Sequence, residues 1–508
     1  MTILLERPDL ISALAPRVTP RRIEQPYRPA PRPATVSHPH APNLEIVGAE
    51  TLVPLAGGGR VSYANLDHGA SAPALRAVKD TVDRLLGSYA SVHRGAGWNS
   101  KVCTELYEGA REPVRSFVGG RADDAVIFTR NTTDSLNLLA HCLPPRTTVV
   151  VFETEHHAAL LPWPADRTVR LAAPATPRLA VEAVDHALRR RPAGPALLVI
   201  TGASNVTGEL WPVAELARIA RARGARVALD AAQLAPHRPF SIDELGVDYV
   251  ALSGHKLYAP YGAGALIGRS DWLQQAAPYL IGGGATASVT DDETSYKPIP
   301  DRHEAGSPNV VGAVALATAC HVLAGTDRAL LAHTEATLTD TLRQGLADIP
   351  GVTVHSLFRG AVDSIGVVTF TIAGQSPAVL AAALSAEHGI GVRDGAFCAH
   401  PLVRHLLGAA GCAVEDGTEG QALRASVGLG TSTEHVNRLV TAVASIVDRG
   451  PRMVYVTVGG RPTPVGDDRV LPSIAPWQRS FGSRPSSGAG PRLGRSRHLS
   501  NALTPRAR

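Results

Sequence analysis

A series of short apolar runs, each ending at once in a polar side chain able to do chemistry, constrains this chain more than any other feature. AVIFTR (125–130) leads to Thr132 and Thr133, and TTVVVFETEHH (147–157) leads to His156. PALLVITGASN (195–205) ends on Asn205, RVALD (226–230) on Asp230, and VDYVAL (247–252) runs into Ser253, His255 and Lys256. Helical patterns fall between them, at 131–143 and 212–223. Strands alternating with helices predict an α/β chain with a mostly parallel, doubly wound sheet. In such sheets ligands sit beyond the carboxyl ends of the strands, where these polar residues fall.

Lys256 lies between an apolar strand and a turn containing Gly262 and Gly264. Partial burial there lowers a lysine's pKa and frees its amine for Schiff-base chemistry, although a surface lysine after a strand is the plainer reading. Asp230, with Gln233 three residues on, alters the balance. An acid to hold a pyridinium nitrogen and a lysine to hold an aldehyde are the two parts that a pyridoxal phosphate (PLP) site needs. Thr132 and Thr133 stand near the N-cap of the next helix, where hydroxyls and free N–H groups either cap the helix or hold phosphate. His156 can stack on a flat cofactor or serve structure. The His156–His157 pair lacks the spacing of a zinc site, and no metal is predicted. The loop SYASVHRGAGWNS (88–100) carries His93 and Arg94, either facing substrate or solvated.

The 508 residues suffice for two domains, with a Pro/Arg-rich flexible arm over 1–50, a large domain over 51–325, a smaller C-terminal α/β domain over 326–450 and a basic, disordered tail over 451–508. The net charge of +5 is uneven. The tail holds ten Arg against two Asp, a net +8, and the first fifty residues carry +1, which leaves 51–450 at −4. The core is therefore a poor candidate for nucleic acid. Five cysteines, odd in number and without CxxC spacing, predict a reduced, cytoplasmic protein. No secretory signal is expected. The longest apolar run, 310–325, is broken by His321 and reads as a buried helix, not a membrane span.

The segments NLDHGASAP, SVHRGAG, RNTTDSLNLLA, ETEHHAALLPW, SNVTG, LDAAQLAPH, LSGHKLYAPYGAGAL, EAGSPN, VRDGAFCAHPL and LRASVGLG occur in an order that resembles the class V aminotransferase group of fold-type I PLP enzymes. The nearest branch is that of cysteine desulfurases and selenocysteine lyases. The resemblance covers about residues 60–447. It implies that Lys256 holds PLP and moves the Cα proton, Asp230 pairs with the pyridinium nitrogen, Gln233 bonds the phenolate oxygen and His156 stacks on the ring, with Asn205 also on the cofactor side. Thr132, Thr133, Ser253 and His255 would hold the phosphate, joined by Ser307 across a homodimer interface. Arg424 would take the substrate carboxylate, with Arg393 nearby.

In that branch a cysteine shortly after the loop arginine attacks the substrate sulfur, and Cys398 lies five residues after Arg393. The resemblance thus implies L-cysteine as the amino acid substrate, alanine as product, a persulfide on Cys398 and a possible sulfur-acceptor protein. Arg393 and the Arg94 loop are expected to supply positive charge to the thiolate. The loop reads RDGAFCAHPL where typical members have RTGHHCAMPL, so Asp394 sets a negative charge near the thiol, and Ala396 and Phe397 replace two histidines. The alternative is a class V transaminase or epimerase acting on another amino acid, which would not need Cys398.

Overall fold

The computed structural model describes residues 44–409 and 420–477. Seven strands form the main sheet: β1 (Ala125–Thr129), β2 (Thr148–Phe152), β3 (Thr168–Leu171), β4 (Ala196–Thr201), β5 (Arg226–Asp230), β6 (Tyr249–Ser253) and β7 (Gly264–Gly268), in the order β1-β7-β6-β5-β4-β2-β3. The pairs among β2, β3, β4, β5 and β6 are parallel, and β7 runs antiparallel to both β1 and β6. Alternate side chains enter different cores. Val150, Phe152, Leu198 and Ile200 pack on one face, and Val149, Val151, Leu197 and Val199 on the other. A period of two with both sets buried is what a sheet covered on both sides requires. The apolar run near 310 is the helix Val310–Ala324, with nine buried residues in the first of those cores. Among the described residues no single helix is long and apolar enough to cross a membrane.

A second, antiparallel sheet orders its strands as β8 (Val352–Val354), β9 (Val367–Ile372), β11 (Ala422–Ser426) and β10 (Arg393–Gly395). Residues of the helices Arg328–Ala347, Pro377–His388 and Thr433–Arg449 complete its core. Ala64 and Leu66, from the start of the chain, belong to that same core, and Ala64–Asn65 pairs in parallel with Ile390–Gly391. The next residue, Asp67, bridges to Ser426. Residues 64–67 therefore run along the second sheet before the chain enters the first.

The expected disordered tail is corrected over its first part. Tyr455–Val458 and Arg461–Pro464 form an antiparallel hairpin. Gly459 and Gly460, at φ +57° and +78°, supply the two left-handed residues that a two-residue turn of this kind needs. The hairpin packs on the helix Pro377–His388. Residues 1–43, most of the expected arm, and 478–508 lie outside the described residues.

Gly264 opens β7 against the turn that starts the helix Thr132–His141. A Cβ there would lie 2.7 Å from Asn131 Cα and 2.9 Å from its carbonyl carbon, backbone atoms that cannot rotate away. Gly264→Ala is expected to cost about 1–3 kcal/mol through overpacking, read as a lower urea midpoint at unchanged slope. An unaltered midpoint would show that this turn yields freely.

Candidate active site

The carboxyl ends of the parallel strands open into a cavity of about 240 Å³ whose wall includes Thr132, Thr133, His156, Asn205, Asp230, Gln233, Ser253, His255, Lys256, Arg393, Cys398 and Arg424. Twelve residues singled out from sequence thus converge there. Asp230 ends β5 and is 5% exposed, with the Ala232 N–H donating to its Oδ1 at 2.9 Å. Lys256 follows β6 in a tight turn, its N–H donating to Ser253 O at 3.2 Å.

Burial governs the charges. Desolvation pulls the Lys256 amine down from 10.5 to about 8; the cation of Arg424 adds to this, while Asp230 and Cys398 oppose it. At pH 7 about a tenth of such an amine is neutral, against roughly three in ten thousand at the ordinary value. Asp230 is raised by burial, against the Ala232 N–H and Lys256. His156 is lowered to about 3, chiefly by burial and then by Lys256. Its Nδ1 accepts the Ala158 N–H at 3.0 Å, so the neutral ring carries its proton on Nε2. A neutral aromatic ring beside a neutral-poised amine and a buried acid is suited to a flat, cationic heteroaromatic group.

One end of the cavity is built for an anion. The helix Thr132–His141 is capped by Asn131, whose Oδ1 accepts the Asp134 N–H at 3.0 Å, so the cap is Asn131 and not Thr132 or Thr133. The Thr132 N–H goes to Ser253 Oγ at 2.9 Å, and the Ser253 hydroxyl donates to Thr132 Oγ1 at 2.9 Å. That leaves the Thr132 hydroxyl proton and the Thr133 N–H without a protein acceptor among the described residues, at the positive end of a helix. His255 also lines this cavity, lowered to about 4 by burial and then by Lys256. Gln233 Nε2 donates to Gly69 O at 2.7 Å, which fixes its amide and leaves a second N–H for a ligand.

At the other end Arg424 is 3% exposed. Its Nη1 donates to Asn205 O at 3.0 Å, its Nη2 to Asp67 Oδ1 at 3.2 Å, and its plane lies over the Phe397 ring at 5.2 Å. Its Nε has no partner, a buried donor awaiting an acceptor. Arg393 Nη1 reaches the other Asp67 oxygen at 3.8 Å. Cys398 is exposed, whereas Cys103, Cys142 and Cys320 are buried; Cys412 lies outside the described residues. Phe397 and Cys398 both adopt left-handed backbone, φ +53° and +54°. Three hydrogen bonds hold that strained pair: Asn205 Nδ2 to Phe397 O at 2.8 Å, the His157 N–H to Cys398 O at 2.7 Å, and the Ala399 N–H to Ala396 O at 2.8 Å. The thiol interacts electrostatically with both Lys256 and Arg424.

His93, Arg94 and Ser307 are not brought to this cavity. His93 and Arg94 line a separate small pocket, with His93 Nε2 2.8 Å from Glu108 Oε1 and Arg94 Nη2 donating to Gly306 O at 3.2 Å. Ser307 is exposed beside them. Within one chain, then, Arg94 lies away from Cys398, and the cations that interact with the thiol are Lys256 and Arg424. Sequence reasoning passed over Asp67, which holds both arginines, and Glu155, which is wholly buried between strands, accepts the Thr201 N–H at 3.0 Å and is raised well above the carboxylate range by burial and by Asp230. Glu155 stood in view as the neighbour of His156, but nothing local marks a glutamate as buried.

Residues 64–439 match the family model described as Aminotransferase class-V. The chain is 33% identical over 420 residues to a probable cysteine desulfurase of Vibrio cholerae, covering 80% of this chain and 99% of that protein. It is 35% identical over 342 residues to probable cysteine desulfurase 1 of Mycobacterium leprae, covering 64% of this chain, and it spans only about half, 54%, of that relative's length. Among solved structures it superposes on the cysteine desulfurase CsdA (S-sulfonic acid) from Escherichia coli with a TM-score of 0.65 at 30% identity, over 76% of this chain and 95% of that one.

The amine's pKa is directly checkable. Acetylation of Lys256 in cofactor-free protein, quantified by mass spectrometry, is expected to rise through a midpoint near pH 8 and not near 10.5. Because the Asp230 charge raises that value, Asp230→Asn is expected to move the midpoint lower. A midpoint that stays near 10.5, or moves up in the variant, contradicts this electrostatic account.

Proposed function

This chain belongs to the class-V aminotransferase family, and we propose that it acts as a PLP-dependent cysteine desulfurase, taking sulfur from L-cysteine and releasing alanine. The observation that carries the reading is Cys398: an exposed thiol, set by a clamped left-handed loop at the wall of the cavity that holds Lys256 and Arg424. A transaminase or epimerase has no use for a thiol there.

The donor set fits PLP. Lys256 offers an amine to the aldehyde, Asp230 a buried acid to the ring nitrogen, Gln233 an N–H to the ring oxygen, and His156 a neutral ring face. The phosphate falls to Thr132, Thr133, Ser253 and His255 at the helix start. When bound, PLP supplies an electron sink for the bonds at the substrate's α-carbon. Arg424, through the Nε that lacks a protein partner, and Arg393 hold the substrate carboxylate. Lys256 Nζ, poised near neutrality, takes and returns the α-proton. Cys398 Sγ, as thiolate, attacks the substrate sulfur; the C–S bond breaks as the S–S bond forms, leaving a persulfide on Cys398, and the carbon fragment takes up protons and departs as alanine. A sulfur-acceptor protein, or the added thiol reductant in the assay, then removes the outer sulfur.

The protein is read as a cytoplasmic homodimer. The dimer follows from the family resemblance, which gives Ser307 a phosphate role that its exposed position outside its own chain's cavity leaves to a second copy.

The test is sulfide and alanine release from L-cysteine with a thiol reductant present. Wild type is expected to release both in equal amounts. Cys398→Ala is expected to lose about 100-fold or more of sulfide release while keeping the absorption of lysine-bound PLP, and Lys256→Ala to lose that absorption. If neither product forms while other amino acids still alter the spectrum, the protein is a transaminase or epimerase and Cys398 is structural.

A further inference from the structure

The C-terminal hairpin lies beyond residue 439, where the family match ends, yet it reaches the active-site strand. Its base is pinned at Glu387, the 2% exposed penultimate residue of the helix Pro377–His388. The Arg452 and Met453 N–H groups donate to the Glu387 carboxylate at 3.0 and 3.2 Å, Arg452 Nε at 3.2 Å and the Tyr455 hydroxyl at 2.9 Å. Burial alone would raise that carboxylate; the donated hydrogen bonds outweigh it and hold it below the usual range. From this base the hairpin carries Arg461 to Asp394, with Nη1 3.3 Å from Oδ2.

Asp394 occupies a sensitive place. It sits in β10 directly after Arg393, which faces the cavity, and four residues before Cys398. Its charge is felt at Asp67, the carboxylate that holds Arg424 and Arg393. Left bare, it would add a negative charge to the strand that leads to Cys398. The other charged groups around the thiol are Lys256 and Arg424, with His157 and His400 as a ring pair on the flanking helices. Among the described residues Arg461 is the cation paired with Asp394.

We infer that Arg461 is a positioning residue for the sulfur-accepting thiol: the hairpin holds its guanidinium on Asp394, cancels the negative charge of the cysteine loop and leaves Arg393 and Arg424 to act on the cavity. The inference rests on Cys398 being the sulfur acceptor.

The test is the pH profile of Cys398 alkylation by iodoacetamide in the full-length holoenzyme, quantified on the Cys398 peptide. It reads the thiol's environment whether or not L-cysteine is the substrate, so that failure here and failure of the desulfurase assay are separate results. Arg461 is three-quarters exposed on its side chain, and its replacement leaves the core intact. Arg461→Ala is expected to slow alkylation at pH 7 by about threefold and to move the midpoint upward, the effect of one partly screened charge. Arg461→Lys is expected to restore most of the rate, and adding Asp394→Asn to Arg461→Ala to restore it fully. An unchanged profile in Arg461→Ala overturns the inference. So does a slow rate that persists when Asp394 is also replaced, because the arginine would then act on the hairpin and not on the charge.

Discussion

The inner strands of the seven-stranded sheet are buried on both faces, and only the edge strand β3 turns residues to solvent, so along the inner strands polar chemistry is left to the sheet's carboxyl edge. That constraint decides where Asp230, Lys256, His156 and Asn205 stand. Asp230 ends its strand, and Lys256, His156 and Asn205 follow theirs by three or four residues, all four at the wall of the cavity. It also sets their electrostatics. The same desolvation that raises Asp230 lowers Lys256 and His156, and the members of the cavity then tune one another across it. An amine held near neutrality is a consequence of where the strand ends, and the nucleophile and the acid are placed by the one sheet.

The features legible in the sequence were those in which chemistry follows directly on local structure. A strand of Val, Leu and Ile that runs into Asp or Lys announces both its fold and a reactive residue, which is why the sheet and the residues that line the cavity were readable. Three kinds of feature were not. NTT offers successive capping residues, and only the backbone selects Asn131. Asp67 serves Arg424 from 357 residues away, a pairing without a local signature. His93, Arg94 and Ser307 sit in familiar motifs, yet in one chain His93 and Arg94 line a different pocket and Ser307 is exposed. The hairpin at 455–464 did have a signal, a Gly-Gly step directly after the alternating run YVTV, but it was hidden by the Arg/Pro/Ser/Gly composition of the whole tail.

The second sheet shows how distant parts of the chain are spent on one short loop. Asp67 comes from the chain's beginning, Arg424 from β11, Arg393 from β10, Asn205 from the main sheet and Arg461 from the final hairpin. All of them bear on residues 393–398. The loop has to be held from several sides because two consecutive non-glycine residues are in left-handed backbone, a conformation costing about 1–3 kcal/mol each. Two of the three hydrogen bonds that resist relaxation come from the Asn205 amide and the His157 N–H, at the carboxyl edge of the main sheet. The edge that places the amine therefore also places the thiol.

Strain at Cys398 would be pointless if the thiol sat in a neutral setting, since geometry alone does not ionise it. Lys256 and Arg424 interact with it, but Arg424 is already committed to Asp67, and Asp394 adds a carboxylate to β10, the strand that leads into the loop. A loop that lacks two histidines and gains an aspartate needs a cation from elsewhere. The hairpin offers one at a position whose long-range partner is readable only in three dimensions. The glutamate that anchors the hairpin is itself buried and saturated with donors, so the arginine is delivered by a rigid base even though its own side chain is solvated. A solvated ion pair contributes little to stability; its value here lies in the charge it removes from the neighbourhood of a thiol, and that effect persists where the stabilising energy is small.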